Sequence, residues 1–419
     1  MSTLKTGFAL LTIILLTIAG TEGLLRIVFA IHDSASDQVA TSDIDERALL
    51  PAYRDADYDP VELWREIWAG TNVWLAYEPY TVWSRKPVTG KYVNVNRDGH
   101  RVTTDNSTDP DALKIWMFGG STTWGMAVPD AYTLPSYLTR RFNDAGIPTV
   151  VSNYGETGYI STQDLLALIR ALQGDEKPDL VVFYEGANEP LGLIDQPHMV
   201  TPHYLINRIR DLFEGRATTR HPALTLLHES ALFRLATSIS HRIGLIRPDA
   251  AVATFPSALE DIPAVAATAA RAYENNLQIV TALADEFGFR PYFFWQPRLG
   301  VGKKPLDPTE TELLEQIRNI PQRDWKIRFS NELRARVDEA NRDHRLHPHF
   351  HDIADVFSAT PAPVYVDWVH VSHTGNALLA DRIFAGIRAE TCASPNRKAI
   401  APVARPDSTG RQLTALCKD

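Results

Sequence analysis

Apolar runs alternate with amphipathic segments from residue 113 to about residue 390. Four short apolar runs have the composition of buried strands: Leu113–Phe118, Thr149–Asn153, Leu180–Tyr184 and Pro291–Trp295. Between and after them, helical periodicity predicts three helices: Thr162–Gln173, Ala264–Phe287 and Asn376–Glu390. This alternation is typical of a parallel sheet covered by helices on both faces, so the sequence predicts a three-layer α/β/α fold.

Two long stretches interrupt the alternation, at about residues 190–262 and 303–343. Each contains a helical pattern, Ala223–Ile243 in the first and Trp325–Asn341 in the second. Connections at the carboxyl edge of such a sheet often carry functional residues. We therefore expect these insertions to shape the substrate pocket.

The amino-terminal segment is strongly apolar from Gly7 to Ile31, although Glu22 and Arg26 interrupt its second half. A membrane-spanning helix needs about 20 apolar residues, and this segment just reaches that length. We predict an uncleaved signal anchor, a transmembrane helix, over residues 1–31; a cleaved signal peptide and a buried helix of the fold remain alternatives. Lys5 favours an amino terminus inside the cell, which places the rest of the chain outside the cytoplasm, on the periplasmic side in a bacterium.

The region before the first predicted strand has two parts. Residues 32–60 are polar and acidic, which predicts a tether, and residues 61–112 form an aromatic-rich subdomain. Its aromatic side chains form either a small satellite core or a surface that stacks on sugars or meets a membrane. The main domain then spans residues 113–390, and a tail follows over residues 391–419.

Charge and cysteine content narrow the possible partners and cofactors. Acidic residues outnumber basic ones by 51 to 42, which argues against a nucleic-acid partner. Cys392 and Cys417 are the only cysteines, and they either form one disulfide or remain free thiols. The alternating histidines of residues 347–351 could bind a metal, but a polar segment at the start of a strand explains them more simply. We predict no metal and no cofactor, and no oligomeric state is predicted.

A serine stands directly after the first predicted strand, in the segment Gly119-Gly120-Ser121. A parallel strand that ends in glycines and a serine presents the hydroxyl at the sheet edge where α/β proteins bind ligands. Ser121 is therefore a candidate nucleophile. The alternative is a helix cap at an ordinary strand-to-helix turn.

A serine nucleophile needs a base and an acid that orients the base. Asp367 and His370 are three residues apart near the carboxyl end, and one helical turn would place both side chains on the same face. The carboxylate could then hold one ring nitrogen while the other accepts the serine proton. A surface ion pair is the alternative.

Two glycine-containing turns follow the second and third predicted strands and should emerge at the same sheet edge as Ser121. The Gly155 amide and the Asn188 side-chain amide lie in these turns. Both can donate hydrogen bonds to a developing oxyanion, a contribution of about 2.7 to 4 kcal/mol per donor in acyl transfer.

Together, the segments around Ser121, Gly155 and Asn188 and the Asp367-x-x-His370 pair resemble the four blocks of the SGNH (GDSL) hydrolase superfamily, over residues 113–390. The resemblance implies a flavodoxin-like sheet and assigns roles to these residues. Ser121 is the nucleophile and also an oxyanion donor, with Gly155 and Asn188 as the other donors. His370 is the general base and Asp367 orients it.

Two positions depart from the best-known members of this superfamily. Gly120 replaces the Asp that precedes the serine, and Glu189 replaces the usual Asp of the third block. Neither position transfers a proton, so these differences bear on which subfamily the chain resembles more than on its predicted catalytic activity.

The sequence thus predicts a serine esterase that hydrolyses acyl esters, with O-acetyl esters of a cell-envelope or exported glycan as the expected substrate. An O-acyltransferase would use the same residues and pass the acyl group to a sugar hydroxyl. A non-catalytic, membrane-tethered glycan-binding or scaffold protein, built on the segment from Trp64 to Trp83, is the third possibility.

Overall fold

The computed structural model describes residues 44–70, 74–194, 196–214 and 261–393, parts of residues 6–28, and residues 230, 235 and 417. The chain divides into two compact units. One comprises Met1–Ile44 and Leu205–Pro256, and the other comprises Asp45–Tyr204 and Ser257–Asp419. The second unit contains the sheet and all the residues of the site.

Residues near the end of the predicted tether are folded. Glu46–Leu49 and Pro51–Tyr53 form two 3-10 helices, and Ala48, Ala52 and Tyr53 are buried. They pack in one apolar cluster with Trp64, which lies on helix α1 (Pro60–Gly70). The tether prediction for residues 32–60 is therefore wrong from residue 46 onward, because alanines spaced among acidic residues provide an apolar contact that composition does not reveal.

The aromatic-rich subdomain contains four short strands. Strands β1 (Leu75–Glu78) and β2 (Val82–Arg85) form an antiparallel pair, and so do β3 (Val88–Thr89) and β4 (Asn94–Val95). Trp64 and Trp83 are 0% and 3% exposed, respectively. These two rings therefore belong to a core and are not available to stack on a sugar.

Five parallel strands form the central sheet. They are β5 (Leu113–Gly119), β6 (Thr149–Asn153), β7 (Leu180–Glu185), β8 (Arg290–Trp295) and β9 (Phe350–Asp352). Their order across the sheet is β6-β5-β7-β8-β9, which is the flavodoxin-like doubly wound order. The four predicted strands are confirmed, with bounds that shift by at most one residue.

Nine α-helices follow α1 in the described part of the chain: α2 (Ser121–Trp124), α3 (Leu134–Asp144), α4 (Ser161–Leu172), α5 (Pro190–Leu193), α6 (Ile206–Phe213), α7 (Ile262–Phe287), α8 (Pro308–Arg318), α9 (Pro321–Arg342) and α10 (His373–Ala393). Of these, α6 belongs to the smaller unit. The three helices predicted between the strands correspond to α4, α7 and α10, and the pattern in the second insertion corresponds to α9. The pattern predicted for Ala223–Ile243 lies almost entirely outside the described residues.

Helices cover both faces of the sheet. Ile115 and Met117 of β5 pack in one cluster with Leu138 of α3 and Ile383 of α10. Side chains alternate along a strand, so Trp295 points to the face opposite Phe294, and its ring lies 5.1 Å from that of Tyr273 on α7. The predicted three-layer α/β/α arrangement is confirmed.

The two ends of the chain bear on the predicted anchor and disulfide. No helix in the described part of the chain is long and apolar enough to cross a membrane. Several residues of the predicted anchor lie outside that part, so the anchor stays a prediction. Cys392, near the end of α10, forms a disulfide with Cys417, and their Cα atoms are 5.4 Å apart.

Candidate active site

Ser121 is the first residue of α2, directly after β5 and Gly120. The residue is 8% exposed. The first amides of a helix have no partner within the helix, and the Ser121 amide has no acceptor among the described residues. The hydroxyl and a free N–H group are therefore both present at the carboxyl edge of the sheet.

Gly120 leaves the space in which Asn188 sits. A Cβ atom at residue 120 would lie 2.3 Å from Asn188 Nδ2, which is closer than packed atoms approach. An aspartate before the serine would displace the Asn188 amide from this position.

Three side chains predicted from the sequence form a continuous hydrogen-bonded chain. His370 Nε2 lies 2.7 Å from Ser121 Oγ, and His370 Nδ1 lies 2.7 Å from Asp367 Oδ2. The serine and the histidine are 249 residues apart in sequence. The tertiary structure thus brings a serine hydroxyl, an imidazole and a carboxylate together, in the order that a nucleophile, a base and an orienting acid require.

The prediction that a helical turn places Asp367 beside His370 is wrong. Residues 366–371 form a loop closed by a bridge between Tyr365 and Val371, and α10 begins only at His373. Asp367 Oδ1 accepts hydrogen bonds from the Val369 and His370 amides, at 2.9 and 2.8 Å. Asp367 therefore stabilises the loop that carries it and positions the His370 ring beside its other carboxylate oxygen, Oδ2.

The environment of Asp367 favours the ionised carboxylate. Burial by itself raises the pKa of this carboxyl, but the adjacent His370 and the two backbone N–H donors outweigh it and lower the pKa to about 2. Asp367 is therefore negatively charged at neutral pH. A fixed negative charge at Nδ1 selects the tautomer in which Nε2 can accept the serine proton.

Arg47 approaches Asp367 from the amino-terminal 3-10 helix. Arg47 Nη1 lies 3.5 Å from Asp367 Oδ2, and Arg47 Nη2 lies 2.7 Å from Asp45 Oδ2. The guanidinium also lies 3.9 Å from the centroid of the Trp64 ring. Nothing in the sequence pattern indicated this contact, because the two residues are 320 positions apart.

The turn after α2 is held by two buried arginines that flank the ring of Trp124. Arg101 donates to Asp130 and to the carbonyls of Gly125 and Val128, at 2.7 to 2.8 Å. Arg85 lies on the ring with its guanidinium 5.1 Å from the centroid, compared with 4.4 Å for Arg101. These contacts stabilise the short helix that carries Ser121.

The predicted oxyanion donors differ in availability. Asn188 Nδ2 donates to the Tyr159 carbonyl at 2.8 Å, which uses one of its two N–H groups. The Gly155 amide donates to Asn153 Oδ1 at 2.9 Å. A Cβ atom at Gly155 would lie 2.5 Å from the Trp124 amide nitrogen, so this glycine packs against α2 and its N–H group is already engaged.

A second glycine in the same turn was not singled out from the sequence. Gly158 has φ of +78°, and its amide has no acceptor among the described residues. It directly precedes Tyr159, the residue whose carbonyl holds Asn188. The presence of two glycines, Gly155 and Gly158, in one turn was the available sequence signal.

No protein-family model and no curated protein matches the chain. Among solved structures, the chain is similar to a putative arylesterase from Agrobacterium tumefaciens str. C58, with 16% identity over 66% of this chain and 99% of that chain and a TM-score of 0.35. It is also similar to a carbohydrate acetylesterase from Sinorhizobium meliloti, with 13% identity over 65% of this chain and 99% of that chain and a TM-score of 0.35. An acetylxylan esterase from Geobacillus stearothermophilus has 14% identity over 68% of this chain and 96% of that chain, with a TM-score of 0.34. Similarity at this level assigns neither a family nor an activity, so the functional argument rests on the site.

Proposed function

We propose that the protein is a serine esterase of the SGNH type. The observation that carries this proposal is the chain of two 2.7 Å contacts from Asp367 through His370 to Ser121. Each group has the state its role requires, since the carboxylate is ionised and the distal ring nitrogen faces the hydroxyl. A surface ion pair would not place a serine hydroxyl on the second ring nitrogen.

The reaction begins when His370 Nε2 takes the proton from Ser121 Oγ as the oxygen attacks the ester carbonyl. The carbonyl oxygen becomes an oxyanion, and His370 then protonates the departing alcohol. The acyl group remains bound to Ser121. Water, deprotonated by His370, attacks the acyl-enzyme and releases the acid and the free serine.

The oxyanion requires N–H donors directed at its position. The Ser121 amide and the remaining N–H of Asn188 Nδ2 are suited to this role. Because the Gly155 amide is engaged by Asn153, we assign the third donor to Gly158. Asn188 is oriented by the Tyr159 carbonyl, so removing its amide should lower turnover by a factor of about 10² to 10³.

From the resemblance to SGNH hydrolases we also propose the natural substrate, an O-acetyl ester of a cell-envelope or exported glycan. Transfer of the acyl group to a sugar hydroxyl would need the same residues, so an O-acyltransferase is the second candidate. A glycan-binding protein is the third candidate: Trp64 and Trp83 are buried, but Trp68, Tyr77 and Tyr80 of the same segment are exposed. A location outside the cytoplasm remains part of the proposal, and the disulfide between Cys392 and Cys417 supports an oxidising compartment.

The test compares the full-length protein with its Ser121→Ala and His370→Ala variants. We expect acetate release from 4-nitrophenyl acetate and labelling by a fluorophosphonate, both lost in Ser121→Ala. Ser358→Ala, at an exposed serine, is the matched control and should behave as the wild type. Hydrolysis that persists in a folded Ser121→Ala protein would refute the mechanism, and an added glycan that becomes acetylated would identify a transferase.

A further inference from the structure

A cavity of about 710 Å³ lies on the Asp367 side of the catalytic chain. Its walls come from four parts of the larger unit: the 3-10 helix Glu46–Leu49 with the adjacent Leu50, the loop after β8, helices α8 and α9, and the loop that carries Asp367. Asp367 and Trp368 both line it. The second insertion predicted from the sequence thus contributes much of a cavity beside the catalytic residues.

The most unusual residue in this wall is Arg298, in the loop after β8. Arg298 is 4% exposed, and no carboxylate oxygen of the described residues lies within 4.0 Å of its nitrogens. One guanidinium nitrogen donates to Ser330 Oγ, whereas Nε has no acceptor. The guanidinium lies 4.5 Å from the centroid of the Trp368 ring. Arg298 is therefore a buried cation with an aromatic neighbour and no counterion in contact.

A buried charge without a counterion is destabilising, because burial removes its hydration and nothing replaces it. Burial lowers the pKa of Arg298 to about 10, and the more distant Glu189 opposes this effect. The group nevertheless remains a cation at neutral pH. A ligand anion in the cavity would supply the missing counterion.

The other charged groups of the cavity are mixed in sign. Arg47, Arg323 and Lys326 are the other three cations, and Lys326 Nζ lies 5.9 Å from the centroid of the Trp368 ring. Three acidic residues also line the cavity: Glu46, Glu312 and Asp367. Asp367 is already engaged by His370 and Arg47. Arg298 thus differs from the remaining charges in being both buried and without a contacting partner of opposite sign.

The rest of the lining favours a ligand that also has an apolar face. Apolar side chains from each part of the wall contribute to it: Leu50, Leu299, Leu313, Ile317, Ile327 and Val366. A guanidinium has directed N–H donors that match the oxygens of a carboxylate or a phosphate. A buried guanidinium beside apolar side chains therefore suits a ligand that carries both an acidic group and an apolar face.

We propose that this cavity is an anion-binding subsite of the esterase, in which Arg298 binds a carboxylate or phosphate group carried by the ester substrate. This inference rests on the proposed function, and it narrows the substrate class to acidic esters. The natural substrate is then an acylated acidic sugar or sugar phosphate. The neutral ester of the same shape leaves Arg298 without a counterion.

The experiment measures acetate release by the full-length protein from three mono-O-acetylated sugars. They are methyl glucuronoside, glucose 6-phosphate and methyl glucoside, which place a carboxylate, a phosphate or a neutral hydroxymethyl group on the same ring. We expect kcat/KM for at least one acidic ester to exceed that for the neutral ester by at least about tenfold, which is the effect of one hydrogen bond to a charged group. The preferred acidic ester distinguishes a carboxylate from a phosphate.

The variants Arg298→Met and Arg298→Lys separate this role from a structural one. In Arg298→Met the acidic-to-neutral ratio should fall to about one, and in Arg298→Lys it should be partly restored because the charge remains. Arg336→Met, on the solvent side of α9 and paired with Glu332, removes one cation outside the cavity and should keep the wild-type ratio. Unfolding midpoints show that each variant is folded.

Binding to the Ser121→Ala protein, measured by calorimetry with the same sugars, separates the two proposals. Tighter binding of an acidic sugar that depends on Arg298, without hydrolysis by the wild type, would support the subsite and refute the esterase. Hydrolysis with equal kcat/KM for acidic and neutral esters, unchanged in Arg298→Met, would refute the subsite and leave the esterase standing.

Discussion

Replacing Asp367 by asparagine tests the geometry of the catalytic chain directly. The carboxylate accepts four contacts: two backbone amides on Oδ1, and His370 Nδ1 and Arg47 on Oδ2. An asparagine has one acceptor oxygen. If that oxygen keeps the two amides, its NH₂ group faces His370 Nδ1 and forces the tautomer whose Nε2 carries a proton. That ring cannot accept the serine proton, and in the serine-protease triad the corresponding change lowers kcat about 10⁴-fold.

The same substitution has a stability effect that follows from the pKa. The pKa of the Asp367 carboxyl falls from 3.8 to about 2 in the folded protein. Each pKa unit corresponds to about 1.36 kcal/mol, so the ionised carboxylate contributes on the order of 2 kcal/mol to folding at neutral pH. Because the folded-state pKa is the lower one, this contribution is complete above about pH 4 and is lost as the pH falls towards 2.

The assay combines turnover of 4-nitrophenyl acetate at pH 7 with urea unfolding between pH 2.5 and 7. We expect the kcat of Asp367→Asn to be about 10⁴-fold lower than that of the wild type. We also expect its free energy of unfolding to depend less on pH below pH 4. Asp367→Glu keeps the charge and serves as the control for pH dependence. A folded Asp367→Asn protein with turnover within tenfold of the wild type would refute the assigned role of Asp367.

Two further substitutions test residues around the catalytic chain. Arg47→Met removes a cation that lies 3.5 Å from Asp367 Oδ2, so the pKa of the Asp367 carboxyl should rise and the loss of folding free energy on acidification should begin at a higher pH. Arg47→Lys should restore the wild-type profile in urea unfolding, and an unchanged profile in Arg47→Met would contradict the coupling. Arg101→Met removes the cationic partner of the buried Asp130 and one N–H donor from each of two carbonyls, so the free energy of unfolding should fall by about 3 to 5 kcal/mol in urea titrations. Arg97→Met, at an exposed position, should change it by less than about 0.5 kcal/mol, and equal losses in both variants would contradict the importance of the buried pair.

Local sequence patterns predicted four of the five strands of the sheet, several of its helices and the candidate residues of the site. Buried parallel strands are short apolar runs and their covering helices are amphipathic, so both leave a local periodic signal. For the same reason Ser121 could be placed at a strand end, where its neighbours Gly119 and Gly120 mark the turn. Asp367 and His370 could be paired because they are close in sequence, although the helical turn expected between them is a loop.

Long-range packing sets which N–H groups are available as donors and which charged groups are in contact. The Gly155 amide is engaged by Asn153, whereas the Gly158 amide, three residues later, has no acceptor in the described part of the chain. Arg47 reaches Asp367 across 320 residues, and Arg298 is buried on a cavity wall without a contacting carboxylate. Such facts depend on long-range contacts and on the solvent that packing excludes. A local pattern of residues contains information about neither.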